Sequence, residues 1–552
     1  MAVDSFTAPR RFAGAHVLAA LVGAAVAIAI ATLSVSRHLL PGVFNDDGAY
    51  LALGRALASG AGYHSTYLVG APLQVKFPPG YPVLLSVLWR VGHTPGAVQA
   101  IATTINILAC GIAAGLFWWI GRERLRLPAT MVATFVVLPF VLDSAVQYFT
   151  LVLSEPLFML AMAIAFVLVD RRGDKTHANA VALGATLAIA VFLRTQGIAL
   201  MAAILLGLFI DRSRRRELAV VAATSILPVA AWQTYLFTAS RHETLLTQPS
   251  ESSYLSFLTG GGASGVAANA MDYLHLLGSY VSNSPGVGLV IAVALVMVST
   301  IGAFMLLRRS ASLGLALLAN GVMLLAWPAY QDRYLLPMLP LAGLAAGCAL
   351  HAGIQRLGRT RNSQALIRWE AVAAAVALVL VGFRQYDIRR DAADARATGK
   401  VPSSSTPSFW LQGNAWFVDA TARWTVRSTS RDDRIAIVSP AGLWLYTGRQ
   451  TVPMEVVEPR GAPSVFDVPG RYLAGQIATE KVTVVLVEGP SGITAREVAA
   501  LRSACPAALQ HLDEFSGIVA WRVKPNDECL AALDKRFQPA STSSASNTPA
   551  KS

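Results

Sequence analysis

Long apolar runs separated by short basic ones fill about the first 385 residues, after which the pattern changes. A membrane-spanning helix needs roughly 20 consecutive apolar residues. Runs that read as spans recur at about 13–36, 96–120, 128–147, 150–170, 178–194, 196–211, 218–239, 285–307, 312–329, 334–353 and 369–384. This predicts a polytopic α-helical membrane protein with about eleven spans, although the tight pair around Arg194 also reads as one broken helix. Two polar stretches interrupt the series, at 37–78 and 240–283. Residues 79–92 are apolar but short, and predict a helix lying at the interface with Trp89 and Arg90 at headgroup depth. The segment 385–538 reads differently. Arg434 to Ser439, Val482 to Glu488 and Ile518 to Val523 are strand-like, while Thr494 to Ala504 is helix-like. That alternation predicts a small α/β domain. The Ser/Thr/Ala-rich tail at 539–552 reads as disordered.

Composition agrees with a membrane protein and removes some alternatives. Only 14% of the 552 residues are charged, where soluble domains carry about 25%. The net charge of +13 does not point to nucleic acid, because the arginines lie in short clusters between apolar runs. The first apolar run is long enough to span and lacks a small-residue cleavage site, so it reads as a retained helix. With the N-terminus in the cytoplasm, the loops at Arg122 to Arg126, Arg171 to Lys175, Arg212 to Arg216, Arg308-Arg309 and Arg356 to Arg368 all fall inside. A miscount by one span would have flipped the later clusters outward. The same walk places the C-terminal domain outside, in the periplasm of an inner (plasma) membrane protein. Disulfides persist there, which makes Cys505 and Cys529 an expected pair. Cys110 and Cys348 lie in apolar runs and read as small hydrophobes.

The topology brings five polar features from distant parts of the chain to the outer face. These are Asn45-Asp46-Asp47-Gly48-Ala49-Tyr50, Lys76-Phe77-Pro78-Pro79-Gly80-Tyr81-Pro82, Ser154-Glu155-Pro156, Arg194-Thr195-Gln196-Gly197 and Gln331-Asp332-Arg333-Tyr334. Each alone has a structural reading. An acidic pair suits a helix N-terminus, Pro after Glu155 suits a first turn, Arg194 suits snorkelling, and Asp332-Arg333 suits a surface ion pair. Ionisable groups near hydrocarbon are costly, however, and persist when paired or facing water. A carboxylate can take a proton from an attacking hydroxyl, and an arginine fork can hold a phosphate.

At these residues the sequence resembles the GT-C superfamily of membrane glycosyltransferases. Within it, the chain is similar to bacterial relatives of the dolichyl-phosphate-mannose–protein mannosyltransferases and to the lipid A aminoarabinose transferase. The resemblance extends through Leu157-Phe158 after Pro156, through Phe192-Leu193 before Arg194 and through Leu335-Leu336-Pro337 after Tyr334. It implies inverting transfer of a sugar from a polyprenyl-phosphate-linked donor, with Asp46 or Asp47 as general base. It assigns substrate contacts to Glu155, Arg194, Arg333 and Asp332, with Lys76 a weaker phosphate ligand and Tyr50 and Tyr81 beside them. Some relatives use a divalent metal and others do not. Two adjacent aspartates on a helix start point about 100° apart, which makes joint ligation awkward, so no metal or other cofactor is expected. The large external repeat domains of protein-glycosylating relatives are missing from this sequence, which favours a glycolipid or cell-envelope polysaccharide acceptor.

Two other classes fit an envelope membrane protein. A transporter or flippase of lipid-linked glycans would show internal repeats and spans broken near the midplane, and no such repeat is evident. A non-catalytic assembly protein would act through its external domain alone.

Overall fold

The long helices are apolar on all sides, as expected for helices surrounded by lipid and by one another. The computed structural model describes residues 12–34, 40–170, 177–240, 263–327, 330–358, 372, 379, 381–391, 394, 407–454, 469–489, 492–524 and 528–530. Among the described residues, five helical stretches are long and apolar enough to cross a membrane: Gly14–Ser34, Pro95–Arg124, Arg212–Ala239, Pro285–Arg309 and Asp332–Arg356. Ala129–Val141 and Asp143–Phe149 make a sixth if taken together across a bend of 54°. Four shorter apolar helices, Glu155–Val169, His177–Leu193, Gly197–Ile210 and Ala311–Ala326, complete the apolar set. The chain is an integral membrane protein. Most of the span expected at 369–384, the loop expected at 171–175, residues 359–368 of the loop expected at 356–368, and the tail at 539–552 lie outside the described residues.

Two sequence expectations need correction. The run at 128–147 is not one straight span. Pro139 sits in a short 3₁₀ turn at Leu138–Val141, and Leu142 is extended, so the helix breaks before Asp143. The polar stretch at 240–283 gave no sign of a regular element, yet Ala263–Ser279 forms a helix whose Tyr273, Leu276 and Leu277 pack into the core.

Small residues bring the first helices together. A Cβ on Gly111 would stand 2.6 Å from the Gly23 carbonyl oxygen, and one on Gly115 would stand 2.5 Å from that of Ala19. Only glycine allows backbones to approach this closely, as at many helix contacts in membranes. The Asn45–Ala58 helix then lies beneath the Gly80–Gly92 helix. Trp89 is buried between them and donates its indole N–H to the Leu51 carbonyl at 2.8 Å. Trp89 therefore faces the protein and not the headgroups, while Val83, Val87 and Val91 form the exposed apolar stripe of that helix.

The C-terminal domain is a five-stranded mixed sheet in the order β2-β1-β3-β5-β4. Strand β1 (Ile435–Ile437) pairs in parallel with β2 (Thr451–Pro453) and β3 (Val484–Glu488). β5 (Ile518–Val523) runs antiparallel to β3 and to β4 (Leu509–Phe515). Ala436, Val485 and Val487 pack on one face, while Ile435, Ile437, Val484 and Leu486 pack on the other. This two-sided burial explains why β1 and β3 read as unbroken apolar runs. β2 is only three residues long, and β4 exposes most of its side chains, so neither carries a strong sequence signal. A disulfide joins Cys505, at the end of the Ile493–Ala504 helix, to Cys529.

The domain is docked on the first loop. The Pro440–Thr447 helix meets the Asn45–Ala58 helix through glycine: a Cβ on Gly442 would stand 2.5 Å from the Gly42 carbonyl oxygen, and one on Gly48 would stand 3.1 Å from Ala441 Cβ. Tyr446 donates to the Pro41 carbonyl at 3.0 Å, and Thr451 donates through its N–H and hydroxyl to that of Tyr67 at 2.9 and 2.7 Å. The Arg55 guanidinium lies 5.7 Å from the Trp89 ring centre and 5.1 Å from that of Trp444. Gly442→Val inserts a branched side chain where no space exists. It is expected to cost about 1–3 kcal/mol and to loosen the domain, read as earlier thermal unfolding and faster proteolytic release of the C-terminal part from the full-length protein.

Candidate active site at the first loop

Four charged side chains from four separate segments meet at one place. Asp46 lies in the first turn of the Asn45–Ala58 helix, where the helix dipole favours an acid. Glu155 opens the Glu155–Asp170 helix, with Pro156 in its first turn. Arg194 follows the last residue of the His177–Leu193 helix, the end that favours a cation. Arg333 sits in the short turn Asp332–Tyr334, its Nε donating to Gln331 Oε1 at 2.8 Å.

The pairing is sequential. Arg333 is in contact with Asp46, Arg194 is in contact with Glu155, and the second Arg333 nitrogen lies 3.4 Å from Glu155. Glu155 is fully buried, Arg333 nearly so, and Asp46 is the most exposed of the four at 15%. Charges at such depth are tolerated because they compensate one another. The Tyr334 ring helps to space the two guanidiniums, which lie 5.2 and 5.3 Å from its centre. Arg333 also rests 4.8 Å from the Phe44 ring centre. Three polar atoms in the network, Glu155 Oε1 and Oε2 and Arg194 Nε, have no hydrogen-bond partner among the described residues, although Oε1 is ion-paired to Arg194.

A cleft of about 480 Å³, part of it open to solvent, lies beside this network. Asp46, Arg194 and Arg333 line it together with Tyr50, Phe77, Thr195, Gln196, Trp327 and Tyr334. Tyr50 is held by Ser154 at 3.3 Å between their hydroxyls, and its ring packs on Phe77 and Tyr81. The aromatic wall from the end of the Ala311–Ala326 helix, ending in Trp327, carried no polar signal in the sequence and was not anticipated.

The remaining expected site residues fall nearby but in other roles. Asp47 is fully buried and turned from the cleft. Its two oxygens accept the Gly42 N–H at 3.0 Å and the Phe44 N–H at 2.8 Å, closing the turn that precedes the helix. Tyr81 is buried behind Tyr50, its hydroxyl 3.2 Å from Asn106 Nδ2. Asp332 points to the Tyr148 hydroxyl instead of the cleft. Lys76 lies 5.0 Å from the Phe77 ring centre and close enough to Asp46 to favour its ionised form. Gln74, unnoticed in the sequence, is buried and shapes that loop. Its amide donates to Ser65, and its Oε1 accepts the Lys76 N–H at 2.6 Å.

The two aspartates titrate in opposite directions. Burial pushes both up, but Arg333 and Lys76 outweigh it at Asp46 and hold that carboxyl below its usual range. At Asp47 burial wins over the backbone N–H groups and raises the carboxyl to about 8. An acid whose pKa is raised on folding keeps a proton that the unfolded chain has already lost. Its contribution to stability is therefore complete below about pH 4 and declines until pH passes about 8. Thermal unfolding of the wild type is expected to shift downward between pH 5 and 8 relative to Asp47→Asn, the difference levelling off above that range.

No protein-family model and no curated protein matches the sequence. The structure supplies the likeness. A helical membrane bundle with an appended α/β domain makes a GT-C-like fold. One similar solved structure is ArnT from Cupriavidus metallidurans bound to undecaprenyl phosphate. The match covers 93% of this chain and 98% of that one, with a TM-score of 0.50 and 14% identity. Another is the archaeal oligosaccharyltransferase AglB from Archaeoglobus fulgidus, in complex with an inhibitory peptide and a dolichol-phosphate. There the match covers 92% of this chain and 74% of that one, with a TM-score of 0.53 and 12% identity.

Proposed function

We propose that this protein is a glycosyltransferase that moves a sugar from a polyprenyl-phosphate-linked donor to a glycolipid or cell-envelope polysaccharide at the outer face of the plasma membrane. The observation that carries this reading is the Asp46–Arg333 pair, joined through Glu155 to Arg194, on the wall of a cleft in a GT-C-like fold. Similar solved structures hold undecaprenyl phosphate or a dolichol-phosphate, which favours a lipid-linked donor.

In the proposed reaction an acceptor hydroxyl attacks the anomeric carbon from the face opposite the phosphate. A carbon–oxygen bond to the acceptor forms while the bond to the phosphate oxygen breaks, and the configuration inverts. Asp46 takes the hydroxyl proton. The electron pair leaves on the phosphate, where Arg194 and Arg333, with Lys76 nearby, offset the growing negative charge. Asp47 is the poorer base because its oxygens already accept backbone N–H groups. The same commitment leaves no acidic pair free to share an ion with Asp46. Among the described residues no three His, Cys, Asp or Glu side chains converge. The reaction is proposed to need no resident metal, and EDTA is expected to leave the transfer rate unchanged.

The arrangement in the membrane follows the charge pattern. About eleven spans, a cytoplasmic N-terminus and an extracytoplasmic C-terminal domain put the cleft and the docked domain on the outer side together. The direct test is mass spectrometry of cell-envelope glycans with and without the protein, followed by transfer from a polyprenyl-phosphate sugar by the purified protein in liposomes. Loss of one sugar unit supports the reading. Unchanged glycans together with movement of labelled lipid across the bilayer, without transfer, would replace it with a flippase.

A further inference from the structure

The cleft has a polar atom that the charge network does not use. Gln196 lines it and is 91% buried, with only 9% of its surface exposed. Its Nε2 lies 3.2 Å from the Tyr334 carbonyl oxygen, an acceptor, so this contact fixes which end of the amide is nitrogen. Oε1 is then the free end, and it meets no donor among the described residues. A buried carbonyl oxygen without a donor is costly, and a ligand hydroxyl would satisfy it. Thr195 beside it supplies a neutral hydroxyl and the Trp327 ring an apolar face, the surroundings that a sugar ring fits.

The charges decide which sugar. Each nearby carboxylate is committed: Asp46 to Arg333, Glu155 to Arg194 and Arg333, and Asp47 to two backbone N–H groups. Arg194 and Arg333 balance Asp46 and Glu155, and Lys76 lies within electrostatic reach of Asp46, so the surroundings hold no surplus of negative charge for a cation. Two of the aromatic faces lining the cleft, those of Tyr334 and Phe77, already carry cations. Both guanidiniums lie over Tyr334, and Lys76 lies over Phe77. A positively charged sugar would find no carboxylate that is not already held by an arginine or by backbone N–H groups.

We infer that Gln196 Oε1 reads a hydroxyl of an uncharged hexose or pentose, and that the site rejects amino sugars. This rests on the donor class proposed above. The test uses the full-length protein in nanodiscs and measures affinity for a short-chain polyprenyl phosphate and for its neutral-pentose, neutral-hexose and aminopentose derivatives. One neutral sugar is expected to bind about tenfold tighter than the bare lipid, the worth of one buried hydrogen bond, and the aminopentose derivative no tighter than the bare lipid. Gln196→Leu removes the tenfold gain. Gln196→Glu, of the same shape but carrying a negative charge, moves the preference toward the amino sugar. The inference fails if no neutral sugar gains affinity, if the amino sugar binds best to the wild type, or if Gln196→Leu keeps the gain. The wild-type comparison decides even if a variant does not fold. If the bare polyprenyl phosphate and all its derivatives fail to bind, the donor reading itself is overturned along with the inference. An amino-sugar preference on top of bare-lipid binding overturns the inference alone.

Discussion

Asp46→Asn lowers the rate of sugar transfer about 10³-fold, the range expected for loss of a general base, while KM for the donor changes little. Asparagine keeps the shape of the side chain and can still accept from Arg333, but it cannot take a proton. The loss therefore falls on kcat, as it does when an interaction made only in the transition state is removed. The contrast with Asp47 makes the result diagnostic. Both aspartates open the same helix, but only Asp46 lines the cleft, and Asp47 is spent on the Gly42 and Phe44 N–H groups. Asp47→Asn keeps one good acceptor and loses the second, so it is expected to lower stability near pH 5 more than it lowers kcat. Equal kcat losses from the two variants, with equal folding, would mean that the base assignment is wrong.

Arg333→Met removes a side chain that touches both Asp46 and Glu155. Glu155 keeps Arg194, but Asp46 loses its ion pair and is left as an uncompensated negative charge beside Glu155. Breaking a buried pair by deleting one partner costs about 3–5 kcal/mol. A large drop in thermal stability is expected, together with loss of affinity for polyprenyl phosphate. Arg333→Lys separates the two effects. It restores the charge, and with it most of the stability, but a lysine ammonium cannot span two carboxylates and a phosphate as a planar fork does. Transfer should therefore stay low in a protein that folds. If Arg333→Lys restores full transfer, the fork geometry has no part in the chemistry.

The charged positions were legible because each is a local anomaly. Glu155 and Arg194 interrupt apolar runs at helix ends, and the Asp46-Asp47 pair follows an apolar run at a helix start, where electrostatics alone gives such residues a reason to be. β5 and the Ile493–Ala504 helix were legible for a related reason: burial on one or two faces leaves a periodic mark on the sequence. Trp327 and Gln74 left no such mark. Trp327 ends an apolar helix like any other apolar residue, and Gln74 lies in a polar loop. The break before Asp143 was hinted at by Pro139, but the apolar run continues across it and hides the bend.

Composition and periodicity were enough to define a membrane protein with a C-terminal α/β domain, because immersion in lipid and burial in a sheet both act on runs of consecutive residues. They also determined that acids and arginines collect at the ends of apolar segments. Only the tertiary structure separated Asp46 from Asp47, since adjacent helical residues differ by about 100° in direction and the surroundings decide which one meets a cleft. It alone placed Arg333 between Asp46 and Glu155, 287 residues from the former along the chain, and left the Gln196 oxygen free. It also brought Gly442 of the last domain against Gly42 of the first loop. Such contacts form across distances in sequence where no periodic signal survives.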